Sequence, residues 1–302
     1  MMIRVAATVL ASLIAAGTGG AAVDPAYVRE IEAWRRERLQ RLTADGGWLT
    51  LAGLFWLKPG ANRFGADVAN DIVLPAHSAP AHAGRFVLES GQVRVEVQPK
   101  VPLTLAGKPV TRANLRTDGG GTATPDVLSL GELTMQIIDR GARLGVRVKD
   151  RQSPVRKAFK ELDYFPIDPR YRVVATFVPH PKPVTIDVPT VIGTVDRMPS
   201  PGYASFAIDG APGAPPLRLD AVQEPGDAQL FFIFRDATSG KSSYGGGRFL
   251  YADLPANGKV VLDFNRAYSP PCAFTPHATC PLPPANNRLP VSIEAGEKFA
   301  AH

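Results

Sequence analysis

From residue 61 onward, apolar and polar positions alternate along much of the chain. In VRVEV (93–97) the valines share one face, and Arg94 and Glu96 share the other. In RLGVRVKD (143–150), Leu144, Val146 and Val148 face one way, while Arg143, Arg147 and Lys149 face the other. This is the pattern of antiparallel strands with one face on a core and one in water. Residues 61–150 therefore read as a compact β-sandwich, followed by a connector at 151–168. Eight further runs then recur at the spacing of barrels and sandwiches: YRVVATFV, VTIDV, VIGTVD, YASFAID, PLRLDAV, QLFFIFRD, GRFLYADL and KVVLDFN. They predict a second antiparallel β domain over 169–266, either a barrel or another sandwich. A closed eight-stranded barrel holds one small ligand. The tail, 267–302, carries too many prolines for sheet interior and is expected along the surface.

The N-terminal part follows a different period. Asp24-Pro25 supplies a capping residue and a first-turn proline, and Tyr27, Ile31, Trp34 and Leu42 then recur at near-helical spacing. Asp45-Gly46-Gly47 ends this helix. The apolar stretch WLTLAGLFWLKPG (48–60) is expected to connect it to the sandwich. Ahead of the helix, residues 1–22 carry Arg4, an apolar run and a small-residue end at Gly20-Ala21-Ala22. That plan predicts a secretory signal peptide cleaved near Ala22, and hence a periplasmic or secreted protein. No later run reaches the roughly 18 apolar residues that a membrane helix requires, so no transmembrane segment is expected in the mature chain.

Charge narrows the partners. The chain has 34 Lys+Arg against 28 Asp+Glu, a net +6 spread along its length. The densest basic run, WRRERLQR (34–41), is interleaved with glutamate and reads as a solvated helix face. Nucleic acid is therefore not an expected partner.

Candidate chemistry is sparse, and no motif implies a cofactor or a metal. GKS at Gly240-Lys241-Ser242 lacks the upstream glycine of a phosphate-binding loop, because Arg235 stands there. The Thr238–Lys241 spacing falls on a hairpin turn, and His77 and His82 have no third ligand nearby. The strands around that turn place polar groups among apolar ones. Arg235, Asp236, Tyr244, Arg248, Asp263 and Asn265 are the candidate ligand-binding residues, lining a pocket if one strand face is a lumen. Cys272 and Cys280 flank His277 and admit three readings: a disulfide, a cysteine nucleophile with its base, or part of a metal site. An exported chain with two cysteines most simply makes one disulfide, which would pin the tail.

Two resemblances add to this. NRFGADVANDIVLPAHSAPAHAGRFVLESGQVRVEV looks like the opening of a forkhead-associated (FHA) domain, which implies a β-sandwich. The phosphothreonine-binding pattern of such domains is broken, since Gly65 is followed by Ala66 and not arginine, and Ser78 and His82 stand four apart. FRDATSGKSSYGGGRFLYADLP, VVLDFNRAYSPPCAFTPHATCPLPPANNRLPVSIEAGEK, LDYFPIDPRYRV and WLTLAGLFWLKPGANRFG resemble the family known as domain of unknown function 1684. That resemblance implies an exported or lipid-anchored protein and no particular reaction. It includes both cysteines but often places an aromatic residue where His277 stands. The leading functional expectation is a cell-envelope protein that binds a small molecule or glycan through its C-terminal β domain. The alternatives are a hydrolase using Ser239, Cys272, Asp236 or Asp263, and a structural module docking on an envelope protein.

Overall fold

The computed structural model describes residues 23–121, 123–141, 143–208 and 215–299. The signal peptide expected at 1–22 lies outside the described residues. The fold is mainly β, with one long N-terminal helix, Pro25–Thr43. Asp24 caps the helix, its carboxylate accepting the Ala26 N–H at 2.8 Å, and Pro25 occupies the first turn. Tyr27, Ile31 and Leu42 are buried as their spacing predicts, and Arg38 is buried with them.

Two sheets form the first domain. Strands Leu51–Trp56, Arg143–Asp150, Leu133–Arg140 and Val127–Leu130 lie side by side and continue into the short pair Thr104–Leu105 and Lys108–Pro109. Opposite them lie Ile72–Val73, Gly60–Gly65, Gly84–Glu89, Gln92–Val97 and Arg112–Leu115. Phe64, Phe86, Val93 and Val95 meet Leu128, Met135, Ile137, Val146 and Val148 between the sheets. The sandwich starts earlier than the alternation suggests, because Leu51–Trp56 is one of its strands.

One expected wet face is covered. Arg143 is exposed, but Arg147 on the same face of its strand is only 7% exposed. The C-terminal tail lies over it: Arg147 reaches Thr279 at 3.5 Å, and Ala278 and Cys280 join Leu51 in an apolar cluster.

The second domain is an antiparallel half-barrel. Its sheet runs Leu217–Asp220, Val195–Phe206, Arg172–Pro189, Lys259–Asp263, and the hairpin Gln229–Phe234/Arg248–Asp253 packs across it. Several sequence runs fuse. YRVVATFV and VTIDV become one strand with an irregularity between Pro179 and Val184, while part of VIGTVD forms the turn at Gly193. Phe177, Phe206, Phe232, Phe234 and Phe264 fill the interior, which is a packed core and not a lumen.

The tail departs most from expectation. Ala267, Ser269, Ala278, Cys280, Asn287, Leu289, Ile293, Ala295 and Glu297 are all buried. Proline does exclude this segment from a sheet ladder. Its backbone groups pair instead through isolated bonds to neighbouring backbone, such as Leu289 N–H to the Arg235 carbonyl at 2.7 Å, and through buried side chains. Arg248 donates to the carbonyls of Ala295 and Ile293, the latter at 2.8 Å. Asp236 accepts the Ile293 N–H at 2.6 Å, and Glu297 accepts the Ser269 N–H at 2.8 Å. Asn287 bridges the backbones of Asp220 and Ile233. Gly296, with φ +79, lets the tail press against the Ala267 carbonyl, where a Cβ would sit only 2.3 Å from the oxygen.

Arg248 and Asp236 form an ion pair at 3.2 Å with both side chains fully buried. Removing the guanidinium would strand a buried carboxylate and two carbonyls. Arg248→Met is expected to cost about 3–5 kcal/mol in urea unfolding. Arg248→Lys should recover little, since an ammonium cannot reproduce the planar fork. An unfolding midpoint unchanged in both variants would contradict this account.

Candidate functional site

A cavity of about 880 Å³ lies where the helix, the first domain, the hairpin and the tail converge. Trp34, Arg38 and Arg41 occupy one helix face, as spacings of three and four require. Trp48 follows the helix-ending loop, where Gly47 passes so close to the helix end that a Cβ would lie 2.4 Å from the Leu42 carbonyl oxygen. Lys149 comes from the sandwich, Phe249 and Tyr251 from the hairpin, and Arg266 and Tyr268 from the tail.

Strand geometry builds the aromatic wall. In Arg248–Asp253, Arg248, Leu250 and Ala252 point into the half-barrel, so Phe249 and Tyr251 point out. Tyr251 stacks on its cross-strand partner Phe231, with ring centroids 4.7 Å apart and 20° between planes. Tyr268 is bridged to Phe249 by two backbone hydrogen bonds and lies nearly parallel to Tyr251, at 6.5 Å and 15°. Burial raises the pKa of both tyrosines, so they remain neutral phenols at physiological pH.

The floor is cationic. The Arg38 guanidinium lies 4.7 Å from the Tyr268 ring centroid. Its Nε donates to Glu297 at 2.8 Å, and one terminal nitrogen donates to the Ser269 carbonyl at 3.0 Å. Glu297 sits behind the floor, with its pKa raised by burial against the opposing pull of Arg38. Lys149 donates to the Gly46 carbonyl and lies 5.7 Å from the Trp48 ring centroid.

The six residues expected to bind ligand line neither this cavity nor the smaller one beside His82 and Arg85. They take up structural positions. Arg248 and Asp236 hold the tail, with Asp236 also accepting from Thr238 at 2.9 Å and from Ser239 at 3.2 Å. Asp263 accepts the Tyr27 hydroxyl at 2.8 Å, and the Asn265 amide donates to the Asp168 carbonyl at 2.8 Å, tying helix and connector to the half-barrel. Tyr244 donates to the Cys272 carbonyl at 3.0 Å, and the Arg235 backbone pairs with Asn287. Of the hydrolase candidates, Ser239 and Asp236 meet in one turn away from both cavities, while Asp263 sits under the helix and Cys272 lies in the tail.

The disulfide expected between Cys272 and Cys280 is not formed in this structure; both are free thiols. They touch nonetheless, with the Cys272 N–H 3.2 Å from the Cys280 sulfur. Hydrogen bonding from the Cys280 thiol lowers the pKa of half-buried Cys272, whereas that bond and burial raise the pKa of Cys280. The His277 side chain makes no hydrogen bond among the described residues, and burial alone lowers its pKa. Arg147 stands near Cys280, with its pKa lowered to about 10, first by burial and then by Arg140.

Sequence reasoning missed the cavity. One signal was present: Arg38 interrupts the stripe Tyr27–Ile31–Trp34–Leu42 at a position where an apolar residue is due. A cation in the buried stripe of a helix implies a specific partner.

Comparison with known proteins bears on the family alone. The profile of a family described as "Protein of unknown function (DUF1684)" matches residues 157–298. An uncharacterised protein of Haloarcula marismortui, solved by NMR, is 38% identical over 47% of this chain and 78% of that one, with a TM-score of 0.40. The second FHA domain of a Mycobacterium tuberculosis ABC transporter is 27% identical over 30% of this chain and 77% of that one, with a TM-score of 0.23. An Arabidopsis thaliana FHA domain is 20% identical over 33% and 86%, with a TM-score of 0.22. No curated protein matches.

The thiol geometry predicts unequal reactivity. Under native reducing conditions iodoacetamide should label Cys272 at least about tenfold faster than Cys280, with a rate profile lying below the ordinary thiol pKa of about 8.5. Peptide mapping reads both, and equal labelling would contradict the assignment.

Proposed function

Because the chain belongs to the DUF1684 family, whose name carries no activity, we propose from its sequence and its geometry together that it is an exported cell-envelope protein that binds a small ligand or glycan. The binding place is the cleft between the N-terminal helix and the outer face of the hairpin, not the interior of the half-barrel. One observation carries this reading: aromatic rings from four parts of the chain converge on one cavity of about 880 Å³. Cavities of about 300–1,000 Å³ with aromatic linings and a few placed polar groups are where small ligands bind. The lining rings of Trp34, Trp48, Tyr251 and Tyr268 offer flat faces on which a sugar ring can lie, and neutral phenols and indole N–H groups can reach its hydroxyls. Tyr251 remains 46% exposed, so its ring is available to a ligand.

Export rests on the signal-like residues 1–22, and it gives the cysteines a second role. In an oxidising compartment the touching thiols of Cys272 and Cys280 become a disulfide. Two protons and two electrons leave the pair, and a protein or small-molecule disulfide accepts them to give two thiols. The bond would pin the tail segment just beyond Tyr268 and Pro271. Protein purified from the periplasm without reductant should then take up no alkylating label when denatured, whereas two labels per chain would reject the bond.

Binding is tested by calorimetry of the exported protein with a panel of oligosaccharides and with whatever small molecules co-purify. Tyr251→Ala should weaken binding about tenfold while leaving the unfolding temperature within a few degrees, because the ring is half-exposed. Equal binding by Tyr251→Ala and Trp34→Ala, for every ligand that binds the parent protein, would remove the cleft from consideration.

A further inference from the structure

The charges around the cleft say more about what fits it. Four cationic side chains line it, Arg38, Arg41, Lys149 and Arg266, and no carboxylate does. They come from three separate segments, so the concentration of charge is a product of the fold and not of one basic run. The arginines have acidic partners outside the lining: Glu297 for Arg38, Glu37 for Arg41, and Glu30 with Asp263 for Arg266. Arg38 is 6% exposed, and after its bonds to Glu297 and Ser269 one terminal nitrogen has no hydrogen-bond partner among the described residues.

Lys149 is different, since its described partner is a carbonyl, Gly46, and no carboxylate lies within ion-pair distance among the described residues. Two residues back on the same strand face, Arg147 is also without a carboxylate at that distance, and its buried Nε has no hydrogen-bond partner. The two cations lie 5.7 and 5.3 Å from the centroid of the same ring, Trp48. Like charges gathered around one ring, Arg147 buried and Lys149 half-buried, destabilise one another, and an anion arriving beside Lys149 relieves the repulsion. Burial and Arg147 together lower the pKa of Lys149, as such a field requires.

We infer that the cleft takes an acidic saccharide, in which a ring rests on the Tyr251–Tyr268 wall and a carboxylate or phosphate faces Lys149 and Arg38. This deepens the ligand reading above and rests on it. Charge and ring are recognised by different residues, and this makes the two separable.

The test titrates the exported, full-length mature protein with trigalacturonate, its methyl ester, glucose 6-phosphate and inorganic phosphate. The ester keeps the rings and removes the charge. The expected result is that trigalacturonate or glucose 6-phosphate binds at least tenfold more tightly than the ester and inorganic phosphate, with affinity falling as salt rises. Whichever of the two binds identifies the anion as carboxylate or phosphate. Lys149→Met should lower the affinity for the acidic ligand about tenfold and leave that for the ester unchanged. Arg41→Gln, a change on an exposed helix face that folding tolerates, should lower it two- to fivefold. Ester binding equal to that of the acid would overturn the inference and leave the ligand reading standing. Inorganic phosphate binding as tightly as the sugars would show that the anion alone is recognised, overturning the saccharide. Binding by none of the probes would overturn both.

Discussion

The structure depends on an exchange of partners between a proline-rich strap and a few buried polar side chains. Many residues of the tail are buried without a sheet ladder, and their amides must still be satisfied. Arg248 and Asp236 meet this demand at Ile293 and Ala295, and Glu297 meets it at Ser269, while Asn287, itself in the strap, does the same for the backbones of Asp220 and Ile233. A fully buried ion pair is not by itself stabilising, because desolvation opposes the Coulomb attraction. Here the pair orders a segment with no other regular structure, and every polar atom of the strap that it meets gains a charge-assisted bond.

The same strap assembles the cleft. It carries Tyr268 and Arg266 to the hairpin, lays Cys280 and Thr279 over the first domain, and closes on the helix through Arg38 and Glu297. The buried Arg38–Glu297 contact therefore has two effects: it ties the helix to the tail, and it holds the Arg38 guanidinium in place at the cavity with one terminal nitrogen unpartnered among the described residues. The two β domains share an apolar cluster around Leu51, Val188, Phe249 and Cys280, so the cleft floor and its walls are parts of one packed body.

Much of the fold was legible in the chain. The period-two runs identified many of the strands in both domains, and the Asp24-Pro25 cap located the helix. The first sandwich starts at Leu51 because an apolar run with no polar alternation reads equally as connector or buried strand. Arg147 was assigned to a wet face because alternation shows which side chains share a face and not what lies above it. The polar residues singled out around the hairpin turn stood out for good reason. Arg248 and Asn265 are special positions, but periodicity cannot distinguish a polar group that awaits a ligand from one already bonded to distant backbone. The tail misled for a related reason: proline excludes a segment from a ladder, yet it does not exclude it from a core in which side chains take the ladder's place. The cleft was hidden because its walls are as far apart in sequence as Trp34 and Tyr268.

Alternate side chains in Arg248–Asp253 belong to two different demands. Those pointing inward, Arg248, Leu250 and Ala252, are held by the strap and the phenylalanine core, and little else fits there. Those pointing outward, Phe249 and Tyr251, meet the cavity and the rings of Phe231 and Tyr268, and Tyr251 is partly in solvent. A change at 251 need not disturb 250 or 252. The strand thus separates the positions that hold the molecule together from those that face the cleft, so the cleft lining can change while the architecture stays the same.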